Sequence, residues 1–510
     1  MTAAAHPRLP DVFDALVVGG GINGVGVARD LAGRGLSVLL CEQHDLASHT
    51  SSASSKLIHG GLRYLEHYEF RLVAKALAER EVLLKSAPHL MRSLRFVMPL
   101  DERMRPAWLI RAGLFLYDHL AKREWLPGTE RLKLRQHPTG APLQARLKTG
   151  FAYSDGWVDD ARLVVACAQD AVARGATVLT RTACVDARRE ADLGWQLRLR
   201  HVSGNEFMVR ARALVNAAGP WAAQFLAEHV KQGGVPERRN LRLVKGSHIV
   251  VPQCFTHDHA YIFQNPDGRI LFAIPYEGRF TLIGTTDVEH RGPIGHVRIS
   301  EDEIAYLCAQ ASRYFTQPVT PGDVLWTYAG VRPLLDDEHG NPAEVTRDYR
   351  LELEAPEGAA PLLNLWGGKL TTFRRLAEDA ADLLAPRLGN SRGAWTRGAL
   401  LPGGDLSTWI GLPQQPDADF ERFVAALTAQ HPGHPPPLLR RWAHAYGSAI
   451  ATLLAAPLGN EIAPGVFEAE LAYLRDHEWA RTGEDVLWRR SKLGLHLSEA
   501  ERARVAAWFS

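Results

Sequence analysis

The sequence predicts an α/β fold built from more than one structural unit. Three observations carry that expectation. The chain has 510 residues, too many for a single hydrophobic core. A strand, glycine turn, helix and second strand follow one another near the N-terminus. Two more apolar strands ending in glycine turns lie far downstream, within Arg212–Ala222 and Pro361–Leu384.

The first unit reads DALVVGGGINGVGVARDLAGRGLSVLLCE. Ala15 to Val18 are a short apolar run of the buried-strand type. Gly19, Gly21 and Gly24 then fit G-x-G-x-x-G, and an apolar helical pattern runs through Val27 and Leu31. Ser37 to Cys41 form the second strand, which ends at Glu42. Each part has a physical task. Gly19 permits the tight turn, Gly21 lets backbone approach a pyrophosphate, and Gly24 lets helix pack on strand. The helix N-terminus then faces the phosphates. Glu42 stands where a carboxylate takes a ribose 2′-OH, which argues for FAD or NAD over NADP.

The downstream segments continue the pattern. RALVNAAGPWA is a strand ending in a turn at Gly219-Pro220. PLLNLWGGKLTTFRRLAEDAADLL is a strand, a Gly367-Gly368 turn and a helix striped by Leu376, Ala380 and Leu384. Thr371 or Thr372 occupies the N-cap place. Between Leu241 and Asp287, KGSHIVVP, AYIFQN, RILFAIPY and FTLIGTTD are short strands with turn punctuation, expected to form a mostly antiparallel sheet. Residues 79–149 read as helices followed by basic loops. Beyond a Pro/Gly-rich connector, amphipathic helical patterns run to the C-terminus. The last begins behind Ser498 with Glu501 at N3. Arg489 and Arg490, beside Trp488, read as a solvated helix face.

Composition narrows the partners. Hydrophobic residues are 46%, charged residues 23%, and the net charge is +2, which offers no clustered basic face for nucleic acid. The five cysteines are dispersed and no metal-ligand spacing occurs, so no metal is expected and a reducing, cytoplasmic setting is. No apolar run reaches the length of a membrane span, so any membrane contact is expected to be peripheral.

Six longer stretches now add to the glycine turns: SSASSKLIHGGLRYLE, SDGWVDDARL, KGSHIVVP, IGTTDVE, GVRPL and GGKLTTFR. Together they resemble FAD-dependent, respiratory glycerol-3-phosphate dehydrogenases, in the D-amino-acid-oxidase-like branch of flavoproteins. The resemblance implies a Rossmann-like FAD-binding domain of glutathione-reductase type, an antiparallel-sheet substrate domain and a C-terminal helical domain. It implies an FAD domain assembled from residues 1–78, 150–240 and 325–385, a substrate region of 79–149 and 241–324, and a helical domain of 390–510. The activity implied is oxidation of sn-glycerol 3-phosphate to dihydroxyacetone phosphate, with hydride passing to flavin N5 and electrons to a quinone. An oxygen-using glycerol-3-phosphate oxidase, an amino-acid oxidase of the same branch and a non-catalytic flavin- or nucleotide-binding regulator are the rival readings.

The resemblance also implies the site. Gly19, Gly21, Gly24, Glu42, Ser54, Ser55, Lys56, Gly219, Gly367, Gly368, Lys369, Leu370 and Thr371 are expected to hold FAD. Arg63, Tyr64, Arg332 and Lys369 are expected to hold the substrate. Arg332 matches the arginine that grips the substrate anion, and a guanidinium suits phosphate. A pair with Asp336 or Asp337 is the alternative for Arg332. His59 and His248 are both candidates for the base, and the sequence does not choose between them. Lys369 and the helix start behind it supply positive charge for the reduced flavin. Thr285, Thr286 and Asp287 are expected to form a turn near the pocket without a catalytic role.

The stretch Arg103–Arg135 carries eight basic and three acidic residues interleaved with Trp108, Leu109, Phe115, Leu116 and Trp125. Basic residues beside Trp and Leu suit an interfacial anchor, and a core helix with a basic rim fits the same pattern. The resemblance favours peripheral attachment to the inner face of the cytoplasmic membrane. The assembly state is left open, a homodimer included.

Overall fold

The structure is a computed structural model that describes residues 9–101, 106–190, 194–231, 241–335 and 348–510. The chain opens with β1 (Phe13–Val18), α1 (Ile22–Gly33) and β2 (Val38–Cys41). The serine loop leads to β3 (Leu57–Ile58) and α2 (Phe70–Ser86), then β4 (Met91–Pro99), α3 (Ala107–His119), β5 (Glu130–Lys133) and β6 (Thr149–Val158). Next come α4 (Asp160–Ala173), β7 (Thr177–Leu179), β8 (Thr182–Arg189), β9 (Trp195–His201), β10 (Glu206–Asn216), α5 (Ala222–His229) and β11 (Val230–Lys231). The second sheet draws mainly on β12 (Leu241–Pro252), β13 (Ala260–Gln264), β14 (Ile270–Tyr276), β15 (Phe280–Gly284), β16 (Val288–Glu289) and β17 (Trp326–Leu335), with α6 (Glu301–Ser312) against it. β18 (Arg350–Glu354), β19 (Leu362–Trp366) and α7 (Phe373–Leu384) return to the first sheet.

In the first sheet β7, β2, β1, β10 and β19 pair in parallel. The three segments that end in glycine turns are therefore neighbours: β1 lies beside β10, and β10 beside β19. Their C-terminal ends share one edge, the place where open parallel sheets bind ligands. The register aligns Val18, Asn216 and Asn364 across the three strands. α1 packs on α4 and α7, and the apolar stripe of α7 (Leu376, Ala380, Leu384) is fully buried.

The second sheet is mostly antiparallel, as expected between Leu241 and Asp287. β12 pairs with β15 and β17, and β14 bridges β15 and β13. It reaches further than expected. β4 pairs antiparallel with β6 over nine residues, Met91–Pro99, and parallel with β13. Residues 79–149 are thus not only helices and basic loops. Arg92 and Arg95 interrupt the apolar run of β4, which hid the strand. β6 and β17, whose segments were expected to go with the first sheet, are also strands of the second.

The C-terminal segment is largely helical, with helices at Pro416–Gln430, Pro436–Tyr446, Glu468–His477 and Glu499–Ala507 around a core that includes Phe423, Leu439, Trp442 and Leu471. Ser498 and Glu501 make the expected reciprocal cap. Arg489 and Arg490 do not form a solvated face. Arg490 is fully buried and donates to both oxygens of Asp45, at 2.5 and 2.8 Å. Arg489 reaches Asp45 at 2.7 Å, and Trp488 stacks on Trp326 with 4.6 Å between ring centres. This segment locks the helical domain onto the other two.

Candidate active site

A cavity of about 610 Å³ opens where the three glycine turns meet the second sheet. Its walls come from β1 and the following turn, the serine loop, the turn after β10, β12, β17 and the turn after β19.

The first turn is built on two glycines that nothing else replaces. Gly19 has φ +114°, and a Cβ there would sit 2.4 Å from the Ala217 carbonyl oxygen. A Cβ at Gly24 would sit 1.9 Å from the Gly19 carbonyl oxygen. These contacts let α1 start directly against β1 and β10. Gly21 is the N-cap of α1 and offers no side-chain cap. The Ile22 amide donates to Ser51 Oγ at 3.0 Å, and the other amides of the helix start are placed for a phosphate.

The donor set fits FAD. Gly19, Gly21, Glu42, Ser54, Ser55, Gly219, Gly367, Gly368, Lys369, Leu370 and Thr371 all line the cavity. Asn23 Nδ2 donates to the Gly367 carbonyl at 3.1 Å, tying the first turn to the third. Two buried polar atoms beside these turns, Asn23 Oδ1 and Ser48 Oγ, have no protein partner. A polar ligand explains such atoms. The Glu42 carboxylate accepts from the Gly20 and His44 amides, both at 2.7 Å. Burial raises its pKa, against those two bonds. Each carboxylate oxygen keeps a second lone-pair direction for a ribose hydroxyl.

In the serine loop, Ser54 donates to Asp160 Oδ2 at 2.7 Å and Ser55 Oγ lies 2.8 Å from His248 Nε2. Lys56 turns away from the cavity. It is buried, with Nζ 2.7 Å from Asp160 Oδ1 and 3.2 Å from the Ser52 carbonyl. The cation pins the loop onto the start of α4. Arg63 is half-buried and does not line the cavity, whereas Tyr64 does.

His59, Tyr64, His248, Arg332 and Lys369 are brought together on the cavity wall. Arg332 Nη1 donates to Asp287 at 2.6 Å. Its Nη2 donates to Thr285 Oγ1 at 3.2 Å and to the Thr286 carbonyl at 2.9 Å. β17 and β12 set this geometry, since Arg332 lies opposite Val244 in the register. Lys369 Nζ sits 3.9 Å over the Tyr64 ring. It precedes a 3-10 turn, Leu370–Thr372, so α7 begins at Phe373 rather than at Thr371, with Thr372 as N-cap but without a side-chain cap bond. The His59 amide donates to Thr371 Oγ1 at 3.3 Å.

His248 is buried at 3% exposure and stacks on Tyr328, ring centres 4.7 Å apart. Desolvation, then the charges of Arg332 and Lys56, holds its imidazole well below the ordinary histidine pKa. It is therefore neutral at pH 7, with Nε2 toward Ser55 and the cavity.

Sequence reasoning undervalued four residues. Asp287 and Thr285 clamp Arg332, Asp160 anchors Ser54 and Lys56, and Tyr328 backs His248 while donating to the Ser54 carbonyl at 2.8 Å. Asp160 and Asp287 lie inside the stretches SDGWVDDARL and IGTTDVE. Their signal was a carboxylate beside a cation that only the fold brings near.

Residues 14–374 match the family model for FAD dependent oxidoreductases, and residues 394–508 that for the C-terminal domain of alpha-glycerophosphate oxidase. The chain is 52% identical over 516 residues to a glycerol-3-phosphate dehydrogenase of Pseudomonas aeruginosa, covering all of this chain (100%) and 97% of that protein. It is 48% identical over 506 residues to a D-erythritol 1-phosphate dehydrogenase of Brucella abortus, covering 98% of each. Among solved structures, the glycerol-3-phosphate dehydrogenase of Bacillus halodurans complexed with FAD superposes with a TM-score of 0.75 at 27% identity, over 98% of this chain and 94% of that one.

Proposed function

The chain belongs to the FAD-dependent oxidoreductases, within their glycerol-3-phosphate dehydrogenase group, and on that premise we propose that it oxidises sn-glycerol 3-phosphate to dihydroxyacetone phosphate and delivers the electrons to a membrane quinone. The observation that carries the reading is the convergence of Arg332, Lys369, His59 and His248 on one cavity walled by the three glycine turns.

Bound FAD supplies the two-electron acceptor for the C2 hydrogen. The chain's own residues do the rest. Arg332 holds the substrate phosphate. Its clamp by Asp287, Thr285 and the Thr286 carbonyl fixes the guanidinium before substrate arrives, so little ordering remains to be done on binding. Lys369 and the helix start behind it place positive charge on the cavity wall and favour the build-up of negative charge there. His248 accepts the C2 hydroxyl proton at Nε2, with Ser55 as its resting partner. A phosphate dianion on Arg332 offsets one of the charges that keep His248 neutral, and so raises its proton affinity when substrate is bound. His59 and Tyr64 orient the polyol.

Among the described residues no helix is long and apolar enough to cross a membrane. α3 has a face that suits peripheral attachment. Ile110, Leu114 and Tyr117 are buried inward, while Trp108 (71% exposed), Leu109, Phe115 (61%) and Leu116 point out. Exposed Arg111, Lys122, Arg131 and Lys133 lie on or after it, a fit to anionic headgroups at the inner face of the cytoplasmic membrane. Arg103 and Arg105, expected to contribute, lie outside the described residues.

The D-erythritol 1-phosphate dehydrogenase relative supports a second reading, a longer phosphorylated polyol in the same site. Steady-state rates with sn-glycerol 3-phosphate, D-erythritol 1-phosphate and glycine, read by reduction of a soluble quinone and by peroxide, test both. The reading expects glycerol 3-phosphate to be preferred and quinone to be reduced with little peroxide. Preference for erythritol 1-phosphate or for the amino acid overturns the substrate, and stoichiometric peroxide overturns the acceptor.

A further inference from the structure

His59 and Tyr64 flank a glycine pair, and the turn they make is held from outside the cavity. The Gly60 amide donates to the Tyr117 phenol oxygen at 2.8 Å. Tyr117 donates to Asp155, whose oxygens lie 2.8 and 2.9 Å away. Arg80 Nη1 then bonds Asp155 at 2.8 Å and the Ser154 carbonyl at 2.7 Å. Tyr117, Asp155 and Arg80 are all buried and none lines the cavity.

The chemistry of the phenol fits this relay. It has one proton to give and lone pairs to accept with. Burial, with the Asp155 charge beside it, pushes its pKa well above the ordinary value, so the proton stays on and goes to Asp155. The oxygen is left to accept from Gly60. A Cβ at residue 60 would lie 2.8 Å from the Tyr117 ring and hydroxyl, so the phenol reaches the amide because that residue is glycine. On the other side, Gly61 has φ +75°, and the Tyr64 ring folds back against it. That ring carries Lys369 at 3.9 Å, and the His59 amide is tied to Thr371. The turn is thus tied to the Lys369–Thr371 segment through His59 and Tyr64, and to α3 through Gly60.

We propose that Tyr117, oriented by Asp155 and Arg80, is a positioning residue for the reaction: its hydrogen bond to the Gly60 amide fixes the turn that presents His59 and Tyr64 to the substrate. The proposal rests on the site reading given above. It also gives α3 two surfaces with different tasks, an apolar outer face and an inner phenol that reaches the active-site turn.

The test uses the FAD-loaded enzyme and two readouts: hydrogen exchange of the peptide spanning residues 57–64, and the rate of anaerobic flavin reduction by sn-glycerol 3-phosphate. Tyr117→Phe keeps the ring and removes both hydrogen bonds. Its peptide is expected to exchange about fivefold to tenfold faster, and its flavin to be reduced slower by a similar factor. Leu114→Ala, on the same buried face, makes no hydrogen bond to the turn. It is expected to lower the melting temperature at least as much and to leave both readouts near the parent. Unchanged exchange in Tyr117→Phe overturns the proposal, as does an equal slowing in Leu114→Ala. If Tyr117→Phe does not fold, Asp155→Asn takes its place: it keeps the phenol but weakens its orientation, and unchanged exchange there overturns the proposal too. A parent enzyme whose flavin is not reduced by the substrate would refute the functional reading alone, because the exchange measurement still judges the hold of Tyr117 on the turn.

Discussion

Ser55 Oγ and His248 Nε2 lie 2.8 Å apart on the wall of the cavity, and this contact holds a neutral imidazole at the cavity surface. His248→Asn keeps a polar side chain in the sheet but cannot take a proton. Flavin reduction by substrate is expected to fall by about 10²-fold or more, while His59→Asn, which perturbs orientation, loses less. Stopped-flow absorbance on the two variants measures both. A larger loss in His59→Asn would move the proton to that residue.

In the proposed reading Arg332 grips the substrate phosphate. Replacing it by Lys removes the fork that Asp287 and Thr285 hold. KM for glycerol 3-phosphate is expected to rise about 10- to 100-fold, the worth of one or two charge-assisted hydrogen bonds. Asp287→Asn keeps the shape of the clamp and weakens it, so its KM rises less. A KM unchanged in Arg332→Lys would place the phosphate elsewhere.

The helical domain is fastened by Asp45. Asp45→Ala leaves the buried Arg490 without its carboxylate. Removing one partner of a buried pair costs about 3–5 kcal/mol. Urea unfolding is expected to show that loss, with the cavity residues untouched.

His89 is buried where the helical domain meets the rest of the chain, close against Gly403 and Gly447. Desolvation, then the Arg162 charge, lowers its pKa to about 3. A depressed folded pKa means that the unfolded chain binds the proton first. Stability is therefore complete above the unfolded value near 6.5 and declines as pH falls below it. Between pH 7 and pH 5 this one group removes about 2 kcal/mol. Thermal unfolding across that range is expected to show a shallower decline in His89→Gln than in the parent.

The outer face of α3 is expected to bind anionic vesicles. Trp108→Ser with Phe115→Ser removes two exposed aromatic side chains and is expected to weaken co-sedimentation about tenfold or more. Flavin content and reduction by soluble substrate stay unchanged. Equal sedimentation of parent and variant would leave α3 without a membrane role.

Much of this arrangement was legible before the structure. Gly19, Gly21 and Gly24 are local chemistry: a tight turn, a close approach and a helix packed on a strand each need glycine at a fixed spacing. That β1, β10 and β19 belong to one domain was expected because each ends in a glycine turn; their order in the sheet comes from the pairing itself. β4 was not legible, since Arg92 and Arg95 break its apolar run and its identity as a strand comes from β6 and β13 on either side. The clamp of Arg332 by Asp287 joins residues 45 apart in sequence, and the hold of Tyr117 on Gly60 joins residues 57 apart. Lys56 shows the converse. A lysine among serines next to a cofactor loop reads as a ligand, yet its charge is satisfied by Asp160, because a buried ammonium needs a carboxylate more than a cavity does.

If this cavity holds FAD that takes up the electrons of a phosphorylated polyol, the flavin itself reports it. The direct measurement is the visible spectrum of the purified protein under anaerobic conditions, before and after addition of sn-glycerol 3-phosphate. A bound, yellow flavin that is bleached by the substrate is expected, with one dihydroxyacetone phosphate formed per flavin. A colourless protein, or a flavin that keeps its colour with glycerol 3-phosphate present, would contradict it.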